Sequence, residues 1–257
     1  MNDGGREIKM SSRIVGVLLG RLTDKGYGLS RRLSGRADRI AAQQARLAEL
    51  LPQAGACVVD VGANVGGFAE DVFKACPGAR ILSVEPVPEH VEACRQKFGN
   101  TNGYEVVQAA LGERSQESVT FQVLPSAPQS SSMLAPSATA KSSFRSLAAP
   151  TRPITVPMYS LDDLMATKAG FETIHLLKLN IEGYEPQVLE GGSKTLARCR
   201  AVLAEVHFQP MNEGCDTFDR VCQQLRNAGF HYDMLFGEIR NHFGEILLMH
   251  MMFVRPS

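Results

Sequence analysis

Apolar and polar positions along this chain alternate between two periods. Residues 36–51, RADRIAAQQARLAELL, place Ala37, Ile40, Leu47 and Leu51 on one helical face, and Pro52 and Gly55 end that helix. Cys57 to Val61 is a compact β-branched run that reads as a buried strand, and Gly62 to Gly67 is a glycine-rich turn. Phe68, Val72 and Cys76 then recur at helical spacing until Pro77-Gly78 stops them. Ile81 to Val84 reads as a second strand. Pro88 opens a helix with Val91, Cys94 and Phe98 on one side, and Tyr104 to Ala109 reads as a third strand.

Strand, helix, strand, helix, strand with short connections predicts an α/β, Rossmann-like doubly wound sheet with helices on both faces. Val119, Phe121 and Val123 alternate as an extra strand or hairpin arm. Ser160-Leu161-Asp162-Asp163 resembles a capping box and starts a helix through Thr167. Ile174 to Leu179 is the expected fourth core strand, Tyr184 to Arg198 mostly helix, and Ala201 to His207 the fifth strand. Phe218, Val221, Cys222 and Leu225 mark a helix that Gly229 terminates. His231 to Phe236 and Leu247 to Val254 are the expected last strands, joined by the Gly237–Gly244 turn.

Residues 125–153 break the pattern. Five of these 29 residues are Pro, eight Ser and six Ala, with Lys141, Arg145 and Arg152 and no acid. That composition predicts a long mobile loop with little buried apolar surface, placed as a lid over the site.

The whole chain has 257 residues, 44% hydrophobic and 21% charged, which excludes disordered, collagen-like and small disulfide-scaffold classes. Lys and Arg total 27 and Asp and Glu total 27, so no global basic surface for nucleic acid exists. The balance is uneven: residues 1–50 hold ten Lys/Arg against five acids. Residues 1–52 therefore read as a basic helical extension ahead of a domain at 53–257. The extension is a solvated face, or makes weak contact with an anionic surface. No apolar run reaches the roughly 18 residues that span a bilayer. The run Ile14 to Gly20 is short, ends at Arg21 and lacks a cleavage site, so no secretion signal is expected. Six cysteines without C-x-x-C spacing point to a reducing, cytoplasmic setting.

The chemistry centres on Val58-Val59-Asp60-Val61-Gly62-Ala63-Asn64-Val65-Gly66-Gly67-Phe68. Gly62, Asn64 and Gly66 suit a sharp strand-to-helix turn that approaches a ligand closely. Asp60 lies two residues before the first glycine and would repel a pyrophosphate. It favours S-adenosylmethionine, which brings an ammonium and a sulfonium, over a nicotinamide dinucleotide. Glu85, in Ser83-Val84-Glu85-Pro86, ends the second strand where an acid accepts both ribose hydroxyls. Ala63 and Pro86 flank these groups, and Ala109 and Ala110 are placed near the adenine. Removing the Asp60 carboxylate is expected to abolish cofactor binding and leave the fold intact.

DVGANVGGF, SVEP, AALGE, LLKLNIEGYEPQVLEGG and AEVH, taken in order over residues 56 to 208, resemble the FkbM-type methyltransferase family. The resemblance implies a class I S-adenosylmethionine-dependent methyltransferase with a seven-stranded sheet, one strand antiparallel. It also implies methyl transfer to a hydroxyl of a sugar, glycolipid or polyketide. The family carries K-x-D-x-E-G after the fourth strand; here Lys178, Glu182 and Gly183 match and Asn180 replaces the Asp. Asn cannot act as a base, but it can position a hydroxyl or the cofactor amine, so it is a candidate at both sites.

An alcohol oxygen loses its proton during attack, which calls for a base. The candidates are Glu182, His207 and Glu205. His207 suits the role through its near-neutral titration, and Glu205 lies two residues away on the same strand face. No metal is expected, because Asn180 removes one hard oxygen donor. His175, His231, His242 and His250 read as packing or surface residues. Two rivals remain: a nicotinamide oxidoreductase of similar topology, and a non-catalytic relative that binds the cofactor as an interaction module. The acceptor and the oligomeric state are not legible.

Overall fold

The computed structural model describes residues 36–52, 54–215 and 218–256. The basic leader ahead of Arg36, with its expected surface contact, lies outside the described residues. In chain order the elements begin with α1 (Arg36–Leu50), β1 (Ala54–Val61), α2 (Gly67–Ala75), β2 (Gly78–Glu85), α3 (Pro88–Phe98) and β3 (Tyr104–Gln108). They continue with β4 (Ala110–Gly112), β5 (Gln116–Val123), α4 (Ala138–Ser143), β6 (Arg152–Ser160), α5 (Leu161–Ala166) and β7 (Leu176–Leu179). The last are α6 (Glu185–Glu190), α7 (Ser193–Leu196), β8 (Ala201–His207), α8 (Phe218–Asn227), β9 (His231–Arg240) and β10 (Ile246–Val254).

The main sheet runs β3-β2-β1-β7-β8-β10-β9. Strands β3, β2, β1, β7 and β8 pair in parallel, and β10 is antiparallel to both β8 and β9. One reversed strand among seven is the architecture the sequence resemblance implied. Strand order reverses between β1 and β7, so the carboxyl ends of these strands border a crevice suited to ligand binding.

Helices cover both faces, and the strands divide their apolar residues between two cores. Val59, Leu177 and Val202 face one core; their neighbours Val58, Leu176 and Leu203 face the other. This double burial is why the central strands read as unbroken apolar runs rather than alternating ones. Leu47 and Leu51 join the second core beside Phe68 and Val72. Arg46 bonds Asp233 at 2.8 Å, and the Gln43 amide donates to the Leu235 carbonyl. The described part of α1 is therefore packed onto the sheet.

A three-stranded sheet, β4-β6-β5, lies beside the main one. Strand β5 contains the alternating Val119, Phe121 and Val123. Strand β6 was not expected: its first two residues fall in the segment that reads as a loop, and residues 154–159 carry no predicted element. Val156 and Met158 nevertheless point inward with Phe121 and Val123. The expected helix over 184–198 is broken at Gly191-Gly192. A Cβ on Gly191 would run into the Gly112 carbonyl, and one on Gly192 would approach Leu161 at 2.8 Å.

The segment 125–153 departs from its compositional reading. Leu124, Ala127, Ala140 and Leu147 are buried against Met211, Ile239, Leu247 and Leu248. Its serines satisfy buried backbone instead of solvating a loop. The Ser137 hydroxyl accepts the Ala140 amide at 3.1 Å and donates to the Pro210 carbonyl. Ser132 donates to the Ile181 and Glu182 carbonyls, each at 3.3 Å. A few apolar anchors plus satisfied hydroxyls are enough to order a Ser/Pro/Ala stretch. Replacing Leu147 with Ala removes one of these anchors. We expect limited proteolysis to cut faster within 125–153, with the global melting temperature shifted much less; an unchanged cleavage rate would count against the packed segment.

Candidate active site

The site grows from two adjacent strand ends. Asp60 on β1 and Lys178 on β7 are register partners, each embedded in an apolar run, VVDV and LLKL. Asp60 is 0% exposed and Lys178 4%. The Lys178 ammonium donates to Asp60 Oδ1 at 2.8 Å, to the Gly62 carbonyl at 2.8 Å and to the Val61 carbonyl at 3.4 Å. It also lies 5.7 Å from the centre of the Phe68 ring. Lys178 was quoted in the sequence motif but given no role there. A lysine flanked by leucines in a buried strand demands a carboxylate on a neighbouring strand, and Asp60 is the matching anomaly in β1.

The glycine turn follows. Gly62 has φ 78°, and a Cβ there would collide with the Asn180 carbonyl oxygen. Its smallness thus serves the approach of the two strand ends to each other. Asn64 adopts φ 49°, the left-handed conformation its side chain tolerates. Gly66 caps α2 at φ 74°, and a Cβ there would lie 2.6 Å from the Phe98 ring. Gly66 is therefore a packing position between α2 and α3. The Glu85 carboxylate accepts the Asn64 amide at 2.7 Å and the Val87 amide at 3.0 Å, with His90 Nδ1 at 3.3 Å.

A shallow, partly open cleft lies between these elements. Gly62, Pro86, Ala109 and Ala110 line it, together with Phe121, Met133, Ile181 and Tyr184; Asp60, Ala63, Asn64, Glu85 and Asn180 are not among its wall residues. The residues present fit S-adenosylmethionine. Asp60 Oδ2 is buried without a hydrogen-bond partner and can accept from an ammonium. The Glu85 carboxylate has lone pairs beyond the two amides it accepts, and the walls are apolar enough for an adenine and a thioether.

Glu182 turns the chain away from this cleft. It has φ 61°, rare for a residue other than glycine. Ser132 and Asn212 both donate to its carbonyl. Ile181 lines the cofactor cleft, while Glu182 lines a second, small pocket. Its other walls include Phe144, Leu147, Met211, Ile239 and Leu248, with Ser130 and Asn212 as polar points. One turn of chain thus separates two cavities.

Behind Glu182 lies a buried polar cluster. Glu205 is 0% exposed, and its oxygens face His207 Nε2 at 3.0 Å and His250 Nε2 at 3.1 Å. Asn180 Nδ2 lies 3.4 Å from His250 Nε2. Glu182, Glu205 and His207 each offer a ligand atom within 4.8 Å of the others. Sequence reasoning placed Glu205 and His207 on one face, and they are bonded there. It passed over His250 and Glu185. His250 is the register partner of Glu205 across antiparallel strands, a relation no local spacing reveals. Glu185 accepts the Ile181 amide at 2.9 Å, and burial raises its carboxyl above the ordinary range, opposed by His207.

The near-neutral titration expected of His207 does not hold in this environment. Burial alone lowers its pKa. Hydrogen bonds to Cys215 and Glu205 and the carboxylates of Glu205 and Glu185 outweigh burial and push it up to about 10. The neighbouring carboxylates favour the protonated ring, which weakens His207 as the base and leaves Glu182 as the stronger candidate.

The Methyltransferase FkbM domain matches residues 60–232 of this chain. The 2-O-methyltransferase NoeI of Sinorhizobium fredii is 27% identical over 175 residues, covering 66% of this chain and 70% of that protein. Methyltransferase 1 of Beauveria bassiana is 27% identical over 143 residues, or 52% of this chain; the match spans 57% of that protein's length. Among solved structures, Aeropyrum pernix fibrillarin with natively bound S-adenosyl-L-methionine superposes with a TM-score of 0.46 at 11% identity, covering 84% of this chain and 74% of that one.

The ion pair makes a direct prediction. Asp60→Ala strands a buried ammonium, so the fold is not expected to escape unharmed. Lys178→Met strands a buried carboxylate and should cost about 3–5 kcal/mol in urea denaturation. The double variant Asp60→Ala, Lys178→Met should recover part of that loss. Full additivity of the two single losses would refute the coupling.

Proposed function

The chain belongs to the FkbM methyltransferase family, and from that premise we propose that it methylates a hydroxyl oxygen of an amphipathic acceptor, of the glycolipid or polyketide class. It is a methyltransferase, and its cofactor is S-adenosylmethionine. The observation that carries the reading is the placement of Ile181 and Glu182 on two adjoining cavities. One cavity has the walls for a nucleoside and a thioether. The other combines apolar walls with a carboxylate, which suits a hydroxyl carried on an apolar scaffold better than a fully hydrated sugar. The name of the rhizobial relative, a 2-O-methyltransferase, supports oxygen as the methyl acceptor.

When bound, the cofactor supplies an electrophilic methyl on a sulfonium. The chain's own residues supply position and a proton acceptor. Asp60 and Asn180 are placed to hold the methionine end, and Glu85 the ribose. Gly62, Pro86, Ala109 and Ala110 give the nucleoside a close, apolar berth, with Ala63 and Asn64 shaping the turn beside it. Glu182 takes the hydroxyl proton as the oxygen attacks in line. Glu205 and His207 lie behind it, hydrogen-bonded to each other. The apolar walls exclude water, which strengthens these interactions.

Glu182→Gln should lower kcat about 10²–10⁴-fold with cofactor saturating. S-adenosylhomocysteine at 100 times its dissociation constant should still stabilise that variant by about 2.7 kcal/mol in thermal unfolding, as it does the parent. Unchanged turnover would remove Glu182 as the base. A parent protein stabilised by NAD and not by S-adenosylhomocysteine would overturn the cofactor assignment itself.

A further inference from the structure

We infer that Glu182, Glu205 and His207 form a binding site for one divalent first-row transition-metal ion, which holds the acceptor's hydroxyl oxygen. The inference builds on the site's position as read above, but not on Glu182 acting as the base.

Three features carry it. The first is convergence. One ligand atom from each residue lies within 4.8 Å of the other two, close enough for a single ion to reach all three after small side-chain shifts. The three residues come from different places, the left-handed turn after β7 and the end of β8, so their meeting is a product of the tertiary fold. The second is charge. Glu182 is 6% exposed and Glu205 0%, and Glu185, beside them, is 1% exposed. Carboxylates buried this close repel unless a cation lies between them. A divalent ion bound there would lie between these carboxylates and offset their charge.

The third is the surrounding layer. His250 Nε2 meets the second oxygen of Glu205 at 3.1 Å and so fixes the orientation of that carboxylate. Asn180 lies against His250 at 3.4 Å. Carboxylate ligands held by a second ring of hydrogen bonds are what metal sites require. The loss of an oxygen donor at 180, which argued against a metal from sequence, therefore falls on the layer that orients Glu205. The triad itself is complete without it.

The donor set selects the ion. Two carboxylates and one imidazole suit manganese, cobalt, iron or zinc better than calcium or magnesium, which favour all-oxygen shells. Three protein ligands leave positions open for a hydroxyl oxygen from the second cavity, which Glu182 also lines. An ion held there would supply Lewis-acid polarisation of that hydroxyl oxygen.

The test uses the full chain, stripped with EDTA and titrated with Mn²⁺ followed by electron paramagnetic resonance, and with Co²⁺ followed by visible absorption. We expect about one equivalent of either ion to bind. Glu182→Gln and His207→Asn should each abolish stoichiometric binding. His250→Ala should weaken it about 10–100-fold, as expected for a group that orients a ligand. S-adenosylhomocysteine should still raise the melting temperature of every variant, which certifies the fold and tests cofactor binding separately. Absence of stoichiometric Mn²⁺ and Co²⁺ binding by the parent chain overturns the site, whatever the variants do. So does equal binding by Glu182→Gln, since it places the ion elsewhere. A metal failure with a Glu182-dependent kcat would leave the carboxylate as base and remove only the ion.

Discussion

The buried pair Asp60–Lys178 is the constraint on which the site's geometry depends. Desolvating both charges is expensive, and a single hydrogen bond at 2.8 Å does not repay it. The additional partners matter: the Gly62 and Val61 carbonyls and the Phe68 ring complete the ammonium's surroundings. In exchange, the pair locks the carboxyl ends of β1 and β7 in one register, with the turn at Gly62 against the Asn180 carbonyl. A shift of one residue would bury both charges alone. The arrangement favours one geometry over all near alternatives, and both halves of the site begin at its two ends.

From that lock, two cavities follow with one peptide turn between them. Ile181 faces the cofactor side and Glu182 the other, because the left-handed conformation at Glu182 redirects the chain. Such a conformation is strained and persists only where neighbours overdetermine it. Here Ser132 and Asn212 clamp the Glu182 carbonyl, and Ser132 comes from the segment 125–153. The same segment supplies Phe144 and Leu147 to the second cavity. Its anchoring and the orientation of the reactive carboxylate are therefore coupled. The lid expected from composition is in this sense a structural element with its own small core.

Sequence legibility followed the range of the interactions. The main strands were readable because each is a local apolar run bounded by turn residues. The turn chemistry at Gly62, Asn64 and Gly66 was readable as positive φ, though not as the close approaches to Asn180 and Phe98 that make two of these residues necessary. Residues 125–153 misled because composition scores serine as solvating, whereas Ser132 and Ser137 are buried and bonded to backbone. Strand β6 was hidden by its prolines, which fit a sheet when their missing amides face away from the ladder. His250 was invisible for a different reason. Its partner is 45 positions away on an antiparallel strand, and register between distant strands has no signature in local spacing. The Lys178–Asp60 pair lies between these cases, since a charge inside an apolar run advertises the need for a partner without naming it.

Asn180 has the same physical logic. An aspartate at that position would add a further carboxylate to a buried neighbourhood that already holds Glu182, Glu185 and Glu205. Two histidines face Glu205, at 3.0 and 3.1 Å. The asparagine keeps the size and hydrogen-bonding reach of the aspartate at no cost in charge. Its amide lies against His250, and its carbonyl oxygen still packs on Gly62. The departure from the family motif therefore falls on a residue that shapes and orients, while Lys178 and Glu182, which lock the strands and reach the second cavity, are retained. A chain drifting toward a non-catalytic role has no reason to keep a strained, doubly clamped glutamate at the boundary of two cavities. The substitution is better explained as a redistribution of charge within a working site than as its loss.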